Sequence, residues 1–251
     1  MLKFLCVIPA RFNASRFPGK PLVSIKGKSM IQRVYEQVLK ADFLDKVVIA
    51  TDDKRIQDHA REFGATVLMT SKKHSSGTER CYEAMKLIHA QETPYDIIIN
   101  VQGDEPFIKP SQIELLSTVF ESENVDIATL AKRIDTLEEL RNPNTVKVVV
   151  STKSKALYFS RQPIPYFTEK SAADDNFLKE NIFYKHIGIY AYRSSVLEEI
   201  YRLPQSPLEV AEKLEQLRWL EHNYSIFVNF TQEESLSIDT PEDLACIIHK
   251  K

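Results

Sequence analysis

The sequence predicts an α/β fold in which a mostly parallel sheet is flanked by helices and carries a smaller mixed or antiparallel insertion. Three observations predict it. Apolar runs of strand length alternate with stretches of helical apolar spacing as far as Asn142-Pro143. Those runs are nearly unbroken, as in parallel strands covered on both faces, and lack the alternation of a strand with one wet face. Beyond Asn142-Pro143 aromatic and branched runs separated by polar turns take over, which marks the insertion. The 251 residues suit a single domain over 1–251, with 143–192 as the insertion.

The elements follow in order. Residues 2–8 form the first strand, and the loop IPARFNASRFPGKPL, 8–22, leaves it. Ser29 caps a helix that turns Met30, Ile31, Val34, Val38 and Leu39 to one side. Residues 46–50 are the second strand, 54–63 a helix stopped by Gly64, and 66–69 a third short strand. Ser75-Ser76-Gly77-Thr78 reads as a loop before a helix over 79–90. The run DIIINV, 96–101, is the central strand, with Gln102-Gly103-Asp104-Glu105-Pro106 at its carboxyl end. A helix over 110–122 and strands over 127–131, 146–150 and 157–160 come next, then an excursion through 169–176. Residues 182–191 are a strand whose aromatics serve either the insertion's own core or a partner subunit. LEVAEKLEQLRWL, 208–220, reads as one amphipathic helix and 224–230 as a strand. Thr240 caps a last helix, with Pro241 at its first position.

Composition narrows the function classes. Hydrophobic residues make up 43% and charged residues 27%, the balance of a soluble globular protein. No apolar run approaches the roughly 20 residues of a membrane span, so a cytoplasmic protein without a membrane partner is expected. Cys6, Cys81 and Cys246 are odd in number and lack a zinc spacing, which suits reduced thiols in or near the core. A net charge of -2 gives no reason to expect a nucleic-acid partner.

The loop 8–22 concentrates Arg11, Arg16 and Lys20 among Pro9, Asn13, Pro18, Gly19 and Pro21. It is not a Walker A loop, for it has no GK[ST] and its lysine precedes Pro21. Spacing alone leaves two readings, a phosphate-binding loop and an arginine-bearing surface loop. Asp104 at the end of the central strand is either a ligand for the magnesium that accompanies a triphosphate or a turn former. Asp239 is either a second such carboxylate or an ordinary residue before a helix. His186 is either a ligand contact or a hydrogen-bonded structural residue, and Arg80 suits a local ion pair.

The order of motifs adds a family. ATDD at 50–53, SGTER at 76–80, NVQGDEP at 100–106, LYFSR at 157–161, HIGIYAYR at 186–193, SPLEVAEKLEQLR at 206–218 and IDTPEDL at 238–244, with the loop 8–22, resemble the 3-deoxy-manno-octulosonate (KDO) cytidylyltransferases over nearly the whole chain. The resemblance implies a Rossmann-like nucleotidyltransferase sheet. It implies transfer of CMP from CTP to the anomeric 2-hydroxyl of KDO, with release of pyrophosphate, for lipopolysaccharide biosynthesis. It implies that Arg11 and Lys20 clamp the phosphates with Arg16 as helper, and that Asp104 and Asp239 hold Mg2+. Pro9, Ala10, Ser76, Gly77, Thr78 and Gln102 would surround the nucleotide. Gln102, Arg161, His186, Glu215 and Gln216 would meet the sugar. A homodimer joined through 182–192 is also implied. One departure is the stretch before Asp239, QEESLS, which has no glycine where the family often carries one. The alternatives are a cytidylyltransferase for another acid sugar, an amino-substituted KDO or a sialic acid, and a non-catalytic nucleotide-binding regulator. The set Arg11, Lys20, Asp104 and Asp239 argues against the regulator, because a binder has no need of a transfer site.

Overall fold

The computed structural model describes residues 1–13, 17–122, 124–167, 176–234, 238, 240, 241 and 243–245. Along the chain β1 (Phe4–Ala10), β2 (Lys46–Thr51), β3 (Val67–Met69) and β4 (Ile97–Asn100) alternate with α1 (Met30–Val38), α2 (Lys54–Glu62) and α3 (Gly77–His89). These strands lie in the order β4-β1-β2-β3, and every pair is parallel. The reason is in their composition: Val7, Ile8, Val48, Ile49, Ile98 and Ile99 are all buried. Burying each such side chain is worth about 1.5–3 kcal/mol, which favours strands covered on both faces. The starts of α1 and α2 are capped by side chains, Ser29 Oγ accepting from the Gln32 N–H at 3.3 Å and the Asp53 carboxylate from the Arg55 N–H at 2.9 Å.

Then follow α4 (Pro110–Thr118), β5 (Ile127–Arg133), α5 (Leu137–Arg141), β6 (Lys147–Val150), β7 (Ala156–Ser160) and α6 (Asn176–Glu180). β8 (Tyr184–Arg193), α7 (Ser194–Tyr201), α8 (Pro207–Glu212), α9 (Gln216–Glu221) and β9 (Ile226–Phe230) complete the regular elements. The chain forms two compact units. One contains Met1–Glu114, Ala191–Tyr201 and Glu234–Lys251, the other Leu115–Tyr190 and Arg202–Glu233. In the second unit β5 pairs in parallel with β9, while β6 pairs antiparallel with β7 and with the start of β8. This is the antiparallel piece expected within 143–192. No helix among the described residues is long and apolar enough to cross a membrane.

Three details differ from the sequence expectation, and a fourth resolves what it left open. β1 runs two residues beyond its apolar stretch, so that Pro9 and Ala10 stand in register with Ala50 and Thr51 and belong to the strand. α3 starts at Gly77, because Ser76 Oγ accepts from the Glu79 N–H at 3.2 Å and caps it there. Three aromatics of 182–192 turn inward: Phe183 packs with Ile134, Leu137, Leu140, Phe177 and Leu178, and Tyr190 and Tyr192 are buried. Of the two readings this favours the insertion's own core for these three, while Tyr184 is half-buried beside Phe230 and Ile182 is exposed. Lastly, 208–220 is two helices, α8 and α9, divided at Lys213, whose φ is 53°. Cys6 and Cys81 are buried thiols, and burial pushes the Cys6 thiol well above its usual range. Cys246 and most of the 169–176 excursion lie outside the described residues.

Candidate active site

The carboxyl ends of β1 and β4 lie side by side, and the chain leaves each through a residue that the other constrains. A Cβ on Gly103 would stand 2.8 Å from the Pro9 carbonyl oxygen, so only glycine lets the two strand exits come this close. Asp104 follows directly. On the other side the loop after β1 folds back where Gly19, at a φ of 74°, donates its N–H to the Phe12 carbonyl at 2.8 Å. This turn delivers Lys20, whose stem is buried and whose Nζ reaches Asp104 Oδ2 at 2.6 Å. Asp104 keeps 31% of its side chain exposed. Its carbonyl accepts the N–H of Ile238 at 3.1 Å.

Ile25, Met30 and Ile238 form an apolar cluster joined by Phe17, Phe107 and Leu244. One residue comes from the cationic loop, one follows Asp104 and two come from the 238–244 motif. The cluster thus draws together three stretches singled out in the sequence. Thr240 and Asp243 exchange backbone-to-side-chain hydrogen bonds of 2.9 and 3.2 Å, the cap expected there. Arg16 and Asp239 lie outside the described residues.

A second group surrounds the start of α3. Pro9, Ala10, Arg11, Ser76, Gly77 and Gln102, six of the anticipated nucleotide residues, line a cavity of about 50 Å³ with Arg80. Arg11 is exposed and also borders a cleft of about 190 Å³ with Asp52, Lys72 and His74; its Nη1 donates to the Ser75 carbonyl at 3.2 Å. The first-turn N–H groups of a helix favour an anion at this end. Thr78 is instead buried in that first turn. Arg80 is the residue that sequence reasoning passed over as a local pair. It is 3% exposed and held by Thr70 Oγ1 at 2.6 Å and by the Asp52 carboxylate at 3.2 Å. Its place three and four residues after Gly77 and Ser76 was the available signal, since such residues share a helix face.

In the second unit the His186 ring borders Tyr190, and the charge of Glu215 acts on the Tyr190 phenol. The rings of His186 and Tyr190 are 5.3 Å apart, and burial, then the charge of Glu215, pushes the Tyr190 phenol far up. Tyr190 also meets Trp219 of α9 edge to face at 5.1 Å. His186 Nε2 lies 2.9 Å from Thr129 Oγ1, whose own proton goes to the Ile189 or Ile187 carbonyl at 2.8 or 3.1 Å. Nε2 must then carry the imidazole hydrogen, which leaves Nδ1 as an acceptor. Burial takes His186 down to about 3, so the ring is neutral. Gln216 is buried at the start of α9. The Arg161 guanidinium donates to the carbonyls of Glu212 at 2.8 Å, Pro143 at 3.0 Å and Lys213 at 3.5 Å.

A group of three or more His, Cys, Asp or Glu able to hold a metal is absent among the described residues. Mg2+ usually takes one or two carboxylates and completes its shell with substrate phosphates and water. Partly exposed Asp104, beside a lysine and a cationic loop, is a donor of that kind.

The chain matches the cytidylyltransferase family over residues 5–229. It is 53% identical over 248 residues to the 3-deoxy-manno-octulosonate cytidylyltransferase of Parabacteroides distasonis, covering 97% of this chain and 96% of that one. It is 51% identical to the enzyme of the same name from Phocaeicola vulgatus, covering 97% and 95%. A solved structure of CMP:2-keto-3-deoxy-manno-octonic acid synthetase complexed with CTP superposes with a TM-score of 0.88 at 42% identity, over 98% of this chain and 97% of that one.

Proposed function

This chain belongs to the 3-deoxy-manno-octulosonate cytidylyltransferases, and from that premise we propose how its residues divide the work. The enzyme transfers CMP from CTP to KDO, giving CMP-KDO for lipopolysaccharide biosynthesis and releasing pyrophosphate. The 2-hydroxyl of the sugar attacks the α-phosphorus in line, so catalysis consists of positioning and of neutralising charge on the leaving diphosphate. Lys20 and Arg11 supply that positive charge, Lys20 from a buried stem and Arg11 from the rim, with Arg16 alongside. Pro9, Ala10, Ser76, Gly77 and Gln102 hold the nucleotide at the α3 start, with Thr78 securing that turn and Arg80 paired to Asp52 behind it. Asp104 and Asp239 hold Mg2+, which when bound draws the phosphate oxygens into place and offsets their charge. His186, presenting Nδ1 as an acceptor, lies with Arg161, Glu215 and Gln216 on the acid-sugar side, and Gln102 serves both substrates. The insertion 143–192 belongs to sugar binding and to a homodimer, and the enzyme works in the cytoplasm.

The observation that carries this division is the 2.6 Å Lys20–Asp104 contact at the paired strand exits, with Ile238 bonded to Asp104. Incubating the protein with CTP, Mg2+ and a panel of acid sugars, and following pyrophosphate release, tests it. Turnover with KDO is expected. Turnover with only a sialic acid or an amino-substituted KDO would replace the substrate, and CTP binding without product would favour a regulator. Light scattering at assay concentration should give twice the mass of one chain.

A further inference from the structure

Phe12 stands at the start of the cationic loop, directly after Arg11. Its ring meets two groups. The Arg55 guanidinium carbon lies 3.3 Å from the ring centre. The far end of the ring lies against Gly19, where a Cβ would stand 3.2 Å from Phe12 Cζ. The 2.8 Å hydrogen bond from the Gly19 N–H to the Phe12 carbonyl ties the same two residues through the backbone. The departing and returning limbs of the loop are thus joined at one aromatic ring, with Arg11 beside it on one limb and Lys20 beside Gly19 on the other.

Arg55 is itself held over that ring. Asp53, the cap of α2, accepts from the Arg55 N–H at 2.9 Å, from Nε at 2.9 Å and from Nη2 at 2.7 Å, so one carboxylate fixes both the backbone and the fork of the same arginine. An exposed ion pair of this kind adds little to stability, and the Arg55 side chain keeps 59% of its surface exposed. What the pair sets is direction, since a guanidinium on a long stem meets a ring face reliably only when its fork is anchored. The neighbouring Asp52 holds Arg80 at 3.2 Å, beside the cavity at the α3 start. Two adjacent aspartates at the exit of β2 therefore orient two arginines, one at each part of the nucleotide site. We infer that Phe12 and Arg55 are positioning residues, a cation–π clamp that fixes Arg11 and Lys20 relative to each other before CTP arrives. The inference rests on the reading above that this loop holds the CTP phosphates.

The test is steady-state kinetics of Arg55→Met and Phe12→Leu, singly and together, with CTP and KDO varied separately. Each change should raise the KM for CTP about fivefold, the scale of one exposed cation–π contact, and leave the KM for KDO within about twofold. The double variant should be no more than about twofold worse than either single one, because the two changes break the same contact. Phe12→Tyr, which keeps a ring under the guanidinium, should recover the wild-type KM. An unchanged KM for CTP, an equal rise in both KM values, or full additivity would overturn the inference. Lys20→Met, run alongside, separates this from failure of the phosphate reading: if it leaves kcat/KM for CTP unchanged, the loop does not hold the triphosphate. The clamp is then judged by amide hydrogen exchange at Gly19 and Lys20, whose N–H groups are bonded within the loop. Exchange there should be faster in Arg55→Met than in wild type, and equal rates would overturn it.

Discussion

At the scale of single residues, the Lys20–Asp104 pair joins two roles that oppose each other electrostatically. Lys20 brings positive charge for phosphate and Asp104 negative charge for a metal ion, and at 2.6 Å each also steadies the other. Lys20→Met is expected to lower kcat/KM for CTP by about 10²–10³-fold, the usual effect of removing one preorganised donor from a developing anion. Lys20→Arg should not restore it, since a planar fork does not replace a compact ammonium on a buried stem. Pyrophosphate release at varied CTP measures both. His186 makes a separate prediction about stability. Its folded pKa of about 3 lies below the ordinary unfolded value near 6.5. Between these values the unfolded chain binds more protons, so the stability present above 6.5 is lost as pH falls, at up to about 1.4 kcal/mol per pH unit. His186→Asn removes that dependence, and the melting-temperature gap between wild type and variant should narrow from pH 7 to pH 5. His89, also lowered by burial, titrates in both proteins and leaves the comparison intact.

At the scale of elements, the site depends on how closely strand exits approach. Gly103→Ala places a methyl 2.8 Å from the Pro9 carbonyl, which is backbone and has to move. A shift near 1 Å in a positioning loop costs about 10²-fold, so activity should fall by that order while circular dichroism stays native. The division of 208–220 gives the complementary case. Lys213 sits at a φ of 53°, a conformation that costs a non-glycine residue about 1–2 kcal/mol. Lys213→Gly should therefore raise the midpoint of urea unfolding slightly, the strain relieved exceeding the added chain entropy. This break was illegible in the sequence, because LEVAEKLEQLRWL carries helical spacing throughout and the carbonyls it frees are met by Arg161, some fifty residues earlier. Apolar periodicity did reveal the parallel strands, the caps and the ends of strands where ligands bind, all local features. It missed Arg80, whose role depends on Asp52 and Thr70 across the sheet, and it left open the burial of Tyr190 and Tyr192. Side chains that gain meaning only from distant partners stay hidden from a reading along the chain.

At the scale of the whole molecule, neither compact unit is a continuous piece of chain. The first is completed by Glu234–Lys251, far in sequence from the loop 8–22, and the second by Leu115–Tyr190 and Arg202–Glu233. The late segment supplies Ile238 and Leu244 to the cluster with Ile25 and Met30, and the Ile238 N–H to the Asp104 carbonyl. Removing a buried isoleucine side chain alone costs about 2–5 kcal/mol, enough to loosen that cluster without dismantling a parallel sheet paired along β1. A chain ended after Glu233 should therefore keep most of its helix and strand signal in far-ultraviolet circular dichroism and lose its response to nucleotide. For the full chain, CTP at a hundred times its Kd should add about 2.7 kcal/mol of stability by mass action. The shortened chain should add none at the same concentration with Mg2+ present. If thermal shifts of the two proteins with CTP coincide, the 238–244 motif plays no part in holding the triphosphate, and the site must be built from the strand exits and the α3 start alone.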